Sequence, residues 1–338
     1  MDIESLIETR PLIILCGLGG AGKTSLSAAL GLKAAEMGKK TLVMTVDPAK
    51  RLAQAMGLKK TKAGLQKVPL PDISGSLSVS MLDPKRIFDE VISRYAPSEK
   101  TRDTILANPL YQHLSTILAG SQEYMAMEKL FEYVDSGQFA TLVVDTPPAR
   151  HAIDFLEAPL KLTHALNDSL LQYILMPSVQ MGKIGAKLLG AFSKITGEGL
   201  LQDIATLFGS SLQMMDGFVK RAGVVQELLR KPSTAFLLAV SGRQLSLQDS
   251  LEFIREIQEL GFHFEGSLIN RMPTLPPQVT PPIPAAKILS DKQVRRKQAI
   301  EERMAPLIAL SDYHPWIPEL PEAVNKLEGL EVLAKFLT

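Results

Sequence analysis

The chain is short of the features that would place it outside the ordinary globular class. Its 338 residues hold a single cysteine, Cys16. One thiol makes neither an intrachain disulfide nor a zinc or soft-metal cluster, and in an apolar run it reads as a small core residue. An excess of one charge is also missing: 37 Lys and Arg against 36 Asp and Glu leave a formal net charge of +1. That balance gives no electrostatic argument for nucleic acid or an acidic membrane surface. No run of 18 apolar residues exists, so no segment is expected to span a bilayer. The opening Met-Asp-Ile-Glu-Ser carries acid where a secretory leader carries base, and a cytoplasmic location is expected. What is present is ordinary for a chain with a sizeable core, at 46% hydrophobic and 22% charged residues.

One stretch stands apart. Gly17-Leu18-Gly19-Gly20-Ala21-Gly22-Lys23-Thr24 follows the apolar run Leu12–Cys16 and opens a helix-like segment beginning Ser25-Leu26-Ser27. The pattern G-x-x-x-x-G-K-[ST] between strand and helix is a P-loop. Its backbone N–H groups, from Gly19, Gly20, Ala21, Gly22 and the Lys23–Ser25 turn, can face phosphates, while Lys23 reaches the β/γ oxygens. The Thr24 hydroxyl coordinates Mg²⁺, and the helix N-terminus adds positive potential. A nucleoside triphosphate is the expected ligand.

Continuous apolar runs at Leu12–Cys16, Thr41–Val46, Ser76–Met81, Thr141–Val144, Thr234–Val240 and Gly266–Ile269 read as buried strands. Helical stretches such as Thr24–Met37 and Leu247–Leu260 separate them. The alternation predicts an α/β, doubly wound, mostly parallel sheet with ligands at the carboxyl ends of its strands. Two of those ends are acidic. Asp47, followed by Pro48, is placed to orient the water that attacks a γ-phosphate; its other reading is a turn or helix cap. Asp145, followed by Thr146 and Pro147, stands where P-loop enzymes hold Mg²⁺ through its water shell, or simply solvates a strand end. Arg150 and His151 follow in a segment expected to move with the γ-phosphate.

Residues 158–218 hold eight charged side chains in 61 residues, about 13%, with seven glycines and four methionines. They read as short helices inserted into the α/β core, the insert running over 158–232 of one P-loop domain spanning 1–338. Such a segment suits adaptable apolar packing, or is simply internal core. Residues 272–284, with six prolines, read as a loop; Asp291–Met304 reads as a charged helix, and Leu327, Leu330, Leu333 and Leu337 as an amphipathic last helix. No internal repeat is found, which argues against two P-loop heads in one chain.

The motifs in their order resemble the arsenical-pump and guided-entry (tail-anchored-protein targeting) ATPase family, and most closely its bacterial guided-entry-like branch. Asp47-Pro48-Ala49 is similar to that family's switch I, and Asp145-Thr-Pro-Pro-Ala-Arg-His-Ala-Ile-Asp-Phe-Leu156 to its switch II. Gly120–Glu128 resembles a further motif before switch II. Leu268-Ile269-Asn270-Arg271 resembles the adenine-contacting strand end, and Ile317-Pro318-Glu319-Leu320-Pro321 the loop that closes over the base.

The resemblance implies an ATP-hydrolysing, Mg²⁺-dependent homodimer. In it Pro48, Thr146, Pro147, Arg150 and His151 act as switch residues, and Asn270, Arg271, Ile317 and Pro318 receive the base. It also implies that ATP closes the dimer over a groove for a hydrophobic helical client, with transient contact to a membrane or its receptor and none to nucleic acid. A heterodimer with a paralogue is a variant of this, and a slow or non-hydrolysing regulatory scaffold is the alternative. Metalloid pumping is disfavoured by the cysteine count. A spatial-positioning ATPase is disfavoured by a last helix with two lysines against three glutamates.

Two departures stand out. Leu18 occupies the place of the family's trans-acting lysine, for which Arg150, or Lys50 and Arg51, are candidate substitutes. The C-x-x-C of zinc-bridged members is missing, so no zinc is expected.

Overall fold

A computed structural model describes residues 2–46, 50–58, 64–108, 111–112, 122–148, 152–153, 155–157, 217, 220–242, 247–274, 284–311, 313–320, 324 and 326–337. Eight strands form one sheet: β1 (Leu12–Gly17), β2 (Lys40–Thr45), β3 (Gly64–Lys67), β4 (Ser76–Met81), β5 (Thr141–Asp145), β6 (Thr234–Ser241), β7 (Phe264–Met272) and β8 (Trp316–Pro318). Their order is β3-β4-β2-β5-β1-β6-β7-β8. All neighbours are parallel except β3, which lies antiparallel at the β4 edge. The fold is the α/β, mostly parallel P-loop architecture that the apolar runs predict. Central strands β1, β5 and β6 are buried along their whole length, as a sheet covered on both faces requires.

The described helices are α1 (Ile3–Thr9), α2 (Lys23–Glu36), α3 (Lys50–Ala55), α4 (Pro84–Tyr95), α5 (Glu99–Ala107), α6 (Gln122–Asp135), α7 (Leu247–Glu259), α8 (Pro284–Ile308) and α9 (Leu327–Ala334). Residues 220–230 are also helical. Small residues let α2 sit close to the sheet. A Cβ on Gly31 would come within 2.2 Å of a Val43 methyl. Leu26 and Leu30 of α2 share one apolar cluster with Val43, Leu77 and Leu268, and with Leu330, Leu333 and Leu337 from the chain's last helix and its end.

The chain divides into two compact units. One comprises Met1–Leu82, Ser136–Phe155 and Leu228–Thr338, and contains the sheet. The other comprises Asp83–Asp135 and Leu156–Glu227, and contains α4, α5 and α6. Within the second unit the helices are fastened by charge. Lys129 Nζ bonds Glu90 and Glu132, both at 3.0 Å, and Arg94 meets Glu132 at 3.1 Å. Arg221 Nε donates to Glu128 at 2.6 Å and its guanidinium lies 3.8 Å from the centre of the Tyr95 ring. Most of the expected insert, 158–216 with 218 and 219, lies outside the described residues.

Helices α1, α4, α5 and α6 are not in the sequence reading, β7 runs beyond Gly266–Ile269 at both ends, and three further differences concern β3, β8 and α8. Strand β3 is added at one edge and three-residue β8 at the other. Helix α8 begins at Pro284 rather than Asp291 and runs to Ile308. Proline is tolerated at a helix's first position because the N–H it lacks has no partner there.

Candidate functional site

The sheet order puts the carboxyl ends of β2, β5 and β1 side by side. In register, Asp145 lies opposite Thr45 of β2 on one flank and Leu15 of β1 on the other. Asp145 is 1% exposed, and its Oδ2 accepts from Thr45 Oγ1 at 3.2 Å. Its neighbour Thr146 turns inward: the Thr146 hydroxyl donates to the Leu15 carbonyl at 2.9 Å. Pro147, next along, is partly exposed. Thr45 carried no flag in the sequence beyond being a hydroxyl two residues before Asp47, and it donates to the Asp145 carboxylate.

The loop between β1 and α2 is shaped by its glycines. Gly17 has φ +153°, and a Cβ there would stand 2.3 Å from the Ala239 carbonyl oxygen of β6. Gly22 is the N-cap of α2 in the left-handed region, φ +93°, ψ +20°, with no side-chain cap. Gly19 and Gly20 are exposed; Gly22, Thr24 and Ser25 are partly exposed at the start of α2. The start of α2 is therefore an open helix end without a side-chain cap, the kind of place where an anion is favoured. Lys23, only 9% exposed, folds back along its own loop, with Nζ donating to the Gly17 carbonyl at 2.9 Å and to Leu18 at 3.4 Å. A cation held by loop carbonyls at this place is a reserve of positive charge beside the helix N-terminus.

Cys16 lies beneath the loop, fully buried, with its thiol pushed up to about 12 by burial against weaker opposing effects of Thr146 and Lys23. It stays a neutral thiol at any physiological pH and is a core residue.

On the far side, β7 brings Asn270 to the loop. Asn270 Nδ2 donates to the Ala21 carbonyl at 2.8 Å, and its Oδ1 accepts from Arg271 N at 2.9 Å. Arg271 is exposed, with φ +58°. Strand β8 extends the sheet beside it, with Met272 opposite Pro318 and Glu319 N donating to the Met272 carbonyl at 2.8 Å. Ile317 is fully buried in the apolar cluster and Pro318 is partly exposed, so any contact from Ile317 to a ligand outside the core is through its backbone. Asp47, Pro48, Arg150 and His151 lie outside the described residues. Among the described residues no cluster of His, Cys, Asp and Glu has the form of a metal site, and no helix is long and apolar enough to cross a membrane.

Comparison with known proteins gives one consistent result. The family model for "Anion-transporting ATPase" matches residues 10–338. The chain is 25% identical to the ATPase Get3 of Schizosaccharomyces japonicus, over 99% of this chain and 94% of that protein. It is 26% identical to the ATPase Get3 of Malassezia globosa, over 99% and 93%, and 25% identical to that of Schizosaccharomyces pombe, over 99% and 92%.

Proposed function

The chain belongs to the anion-transporting ATPase family, and from that premise we propose that it is a Mg²⁺-dependent ATPase working as a dimeric switch for hydrophobic helices. The observation that carries the nucleotide part is the start of α2: a glycine-walled turn with no side-chain cap, a lysine folded against it, and an aspartate on the adjacent strand end. A side chain at Gly22 would collide with Asn270, so the turn keeps its shape only with glycine there, and the residues present suit an anion with a divalent cation.

In this reading the loop N–H groups from Gly19 to Ser25 bind and orient the phosphates, and Lys23 exchanges its loop carbonyls for phosphate oxygens. Thr24 and Asp145 hold Mg²⁺, Asp145 through water; the ion, when bound, neutralises phosphate charge. Thr45 keeps the Asp145 carboxylate facing one way. Asp47 orients the attacking water; Pro48, Thr146, Pro147, Arg150 and His151 carry the switch; and Asn270, Arg271, Ile317 and Pro318 receive adenine.

Two copies close face to face, and residues 158–232 shield a client's apolar helix, with only transient contact to a membrane or its receptor. The names of the relatives and the low charge of 158–218 support this. A paralogue in place of the second copy fits the same scheme. Leu18 favours a second reading, a slow or regulatory nucleotide-dependent scaffold, because a cation aimed at transferring phosphoryl charge contributes about 10³–10⁵ in rate.

The deciding experiment joins binding to mass. Lys23→Ala is expected to abolish protection against thermal unfolding by MgATP; unchanged protection overturns the phosphate site. Asp47→Asn is expected to trap ATP and to run at the mass of two chains at saturating ATP. A monomer at saturating ATP removes the dimeric switch.

A further inference from the structure

We infer that Asn270 is a positioning residue of the phosphate loop, holding the Ala21–Gly22 peptide in its anion-binding orientation. It thereby links the base side of the site to the phosphate side. The inference rests on the nucleotide reading above and gives Asn270 a task separate from touching adenine.

Three contacts carry it. Asn270 is 7% exposed at the end of β7, and its Nδ2 donates at 2.8 Å to the Ala21 carbonyl, 249 residues away in sequence. Its Oδ1 accepts from the backbone N of Arg271 at 2.9 Å. That second bond settles the orientation of the carboxamide, because the oxygen is claimed by an N–H and the NH₂ group must face the carbonyl. Lastly, the amide occupies the space in which Gly22 would carry a side chain: a Cβ there would lie 2.3 Å from Asn270 Nδ2.

A peptide unit is planar, so its C=O and the following N–H point in opposite directions as one rigid body. Drawing the Ala21 oxygen toward Asn270 therefore aims the Gly22 N–H the other way. Gly22 adds the left-handed φ of +93° that this plane requires and that only glycine adopts without strain. The two contacts use one of the amide's two donor positions and one of its two acceptor positions. One carboxamide can thus hold the loop while meeting a base. Arg271, held at φ +58°, supplies the N–H that locks it.

The test separates the two tasks by using a ligand with no base. Asn270→Ala is compared with the parent for binding of Mg²⁺-tripolyphosphate and of MgATP by calorimetry, with the ligand-free melting temperature and circular dichroism recorded for each. The expected result is an equal loss for both ligands, about tenfold, the effect of one buried hydrogen bond. ATP weakened with tripolyphosphate unchanged means that Asn270 meets the base alone, and overturns the inference. A parent that binds neither ligand overturns the nucleotide reading, and this inference with it.

A second measurement needs only ATP. In a Gly22→Ala background the new methyl already displaces the amide, so adding Asn270→Ala is expected to cost less than about twofold. A further tenfold loss in that background overturns the coupling.

Discussion

Helices α2 and α4 begin in opposite ways. Helix α4 is closed by its own sequence: the Asp83 carboxylate accepts from Arg86 N at 3.1 Å and Pro84 takes the first turn. Helix α5 does the same with Ser98, which accepts from Thr101 N at 3.1 Å. Helix α2 starts at Gly22 with no side-chain cap. The contrast extends beyond the caps. The helical unit spends its polar side chains on itself, in Lys129 with Glu90 and Glu132 and in Arg221 with Glu128. The sheet unit packs its interior with apolar residues, caps α1 with Asp2, and leaves the start of α2 without a side-chain cap.

The largest break in this contrast is expected at Arg221. Glu128 and Arg221 are 9% and 10% exposed, so Arg221→Ala leaves a buried carboxylate without its partner and costs the helical unit about 3–5 kcal/mol. Urea unfolding followed by circular dichroism measures it, and a loss under about 1 kcal/mol makes the pair decorative. Burial raises the Glu128 pKa, with Arg221 pulling against it. The folded state therefore keeps that proton to higher pH than the unfolded chain does. Stability falls as pH rises from the ordinary glutamate range through the raised value. The Arg221→Ala deficit is accordingly expected to shrink toward acid pH, where the carboxyl is neutral.

Next in size is the reverse operation, giving α2 the cap that α4 has. Gly22→Asp drives a side chain against Asn270, whose Nδ2 would lie 2.3 Å from the new Cβ, and forces that residue onto φ +93°. MgATP affinity is expected to drop at least about a hundredfold, near 2.7 kcal/mol, in a fluorescent-nucleotide titration. Retention within about threefold, roughly 0.7 kcal/mol, removes α2 as the phosphate seat. The smallest effect is Asp83→Ala, which uncaps α4 at a cost of about 1 kcal/mol in unfolding experiments. Its nucleotide affinity is expected to match the parent's, because this cap serves only its own helix.

Much of the sheet was legible in the sequence because parallel strands buried on both faces must be continuous apolar runs. Ser76–Met81 matches β4 at both ends, and the other five predicted strands lie within theirs, or miss by one residue, as with Val46. The two edge strands were not legible, each for its own reason. Gly64-Leu65-Gln66-Lys67 is a four-residue strand with alternating exposure, and Trp316-Ile317-Pro318 is three residues ending in proline. The sequence pattern places the start of α8 seven residues late, because the prolines before 284 mask it. At the site, the P-loop announced itself through a local pattern. The contacts that brace it did not. Thr45 with Asp145 spans 100 residues and Asn270 with Ala21 spans 249, and no local periodicity encodes a pairing made only when the sheet closes.

That last separation has a consequence for biosynthesis. The loop at 17–24 leans on the carbonyl of Ala239 and is tied to Asn270, so both of its supports are translated long after it. At about 5–20 residues per second, 249 residues take roughly 12–50 seconds on the ribosome. During that interval the nascent chain carries the complete phosphate-loop sequence without the strands that hold it in shape. On the proposed reading, nucleotide affinity arrives only with β6 and β7, and a translation product ending before Thr234 carries the motif without those supports.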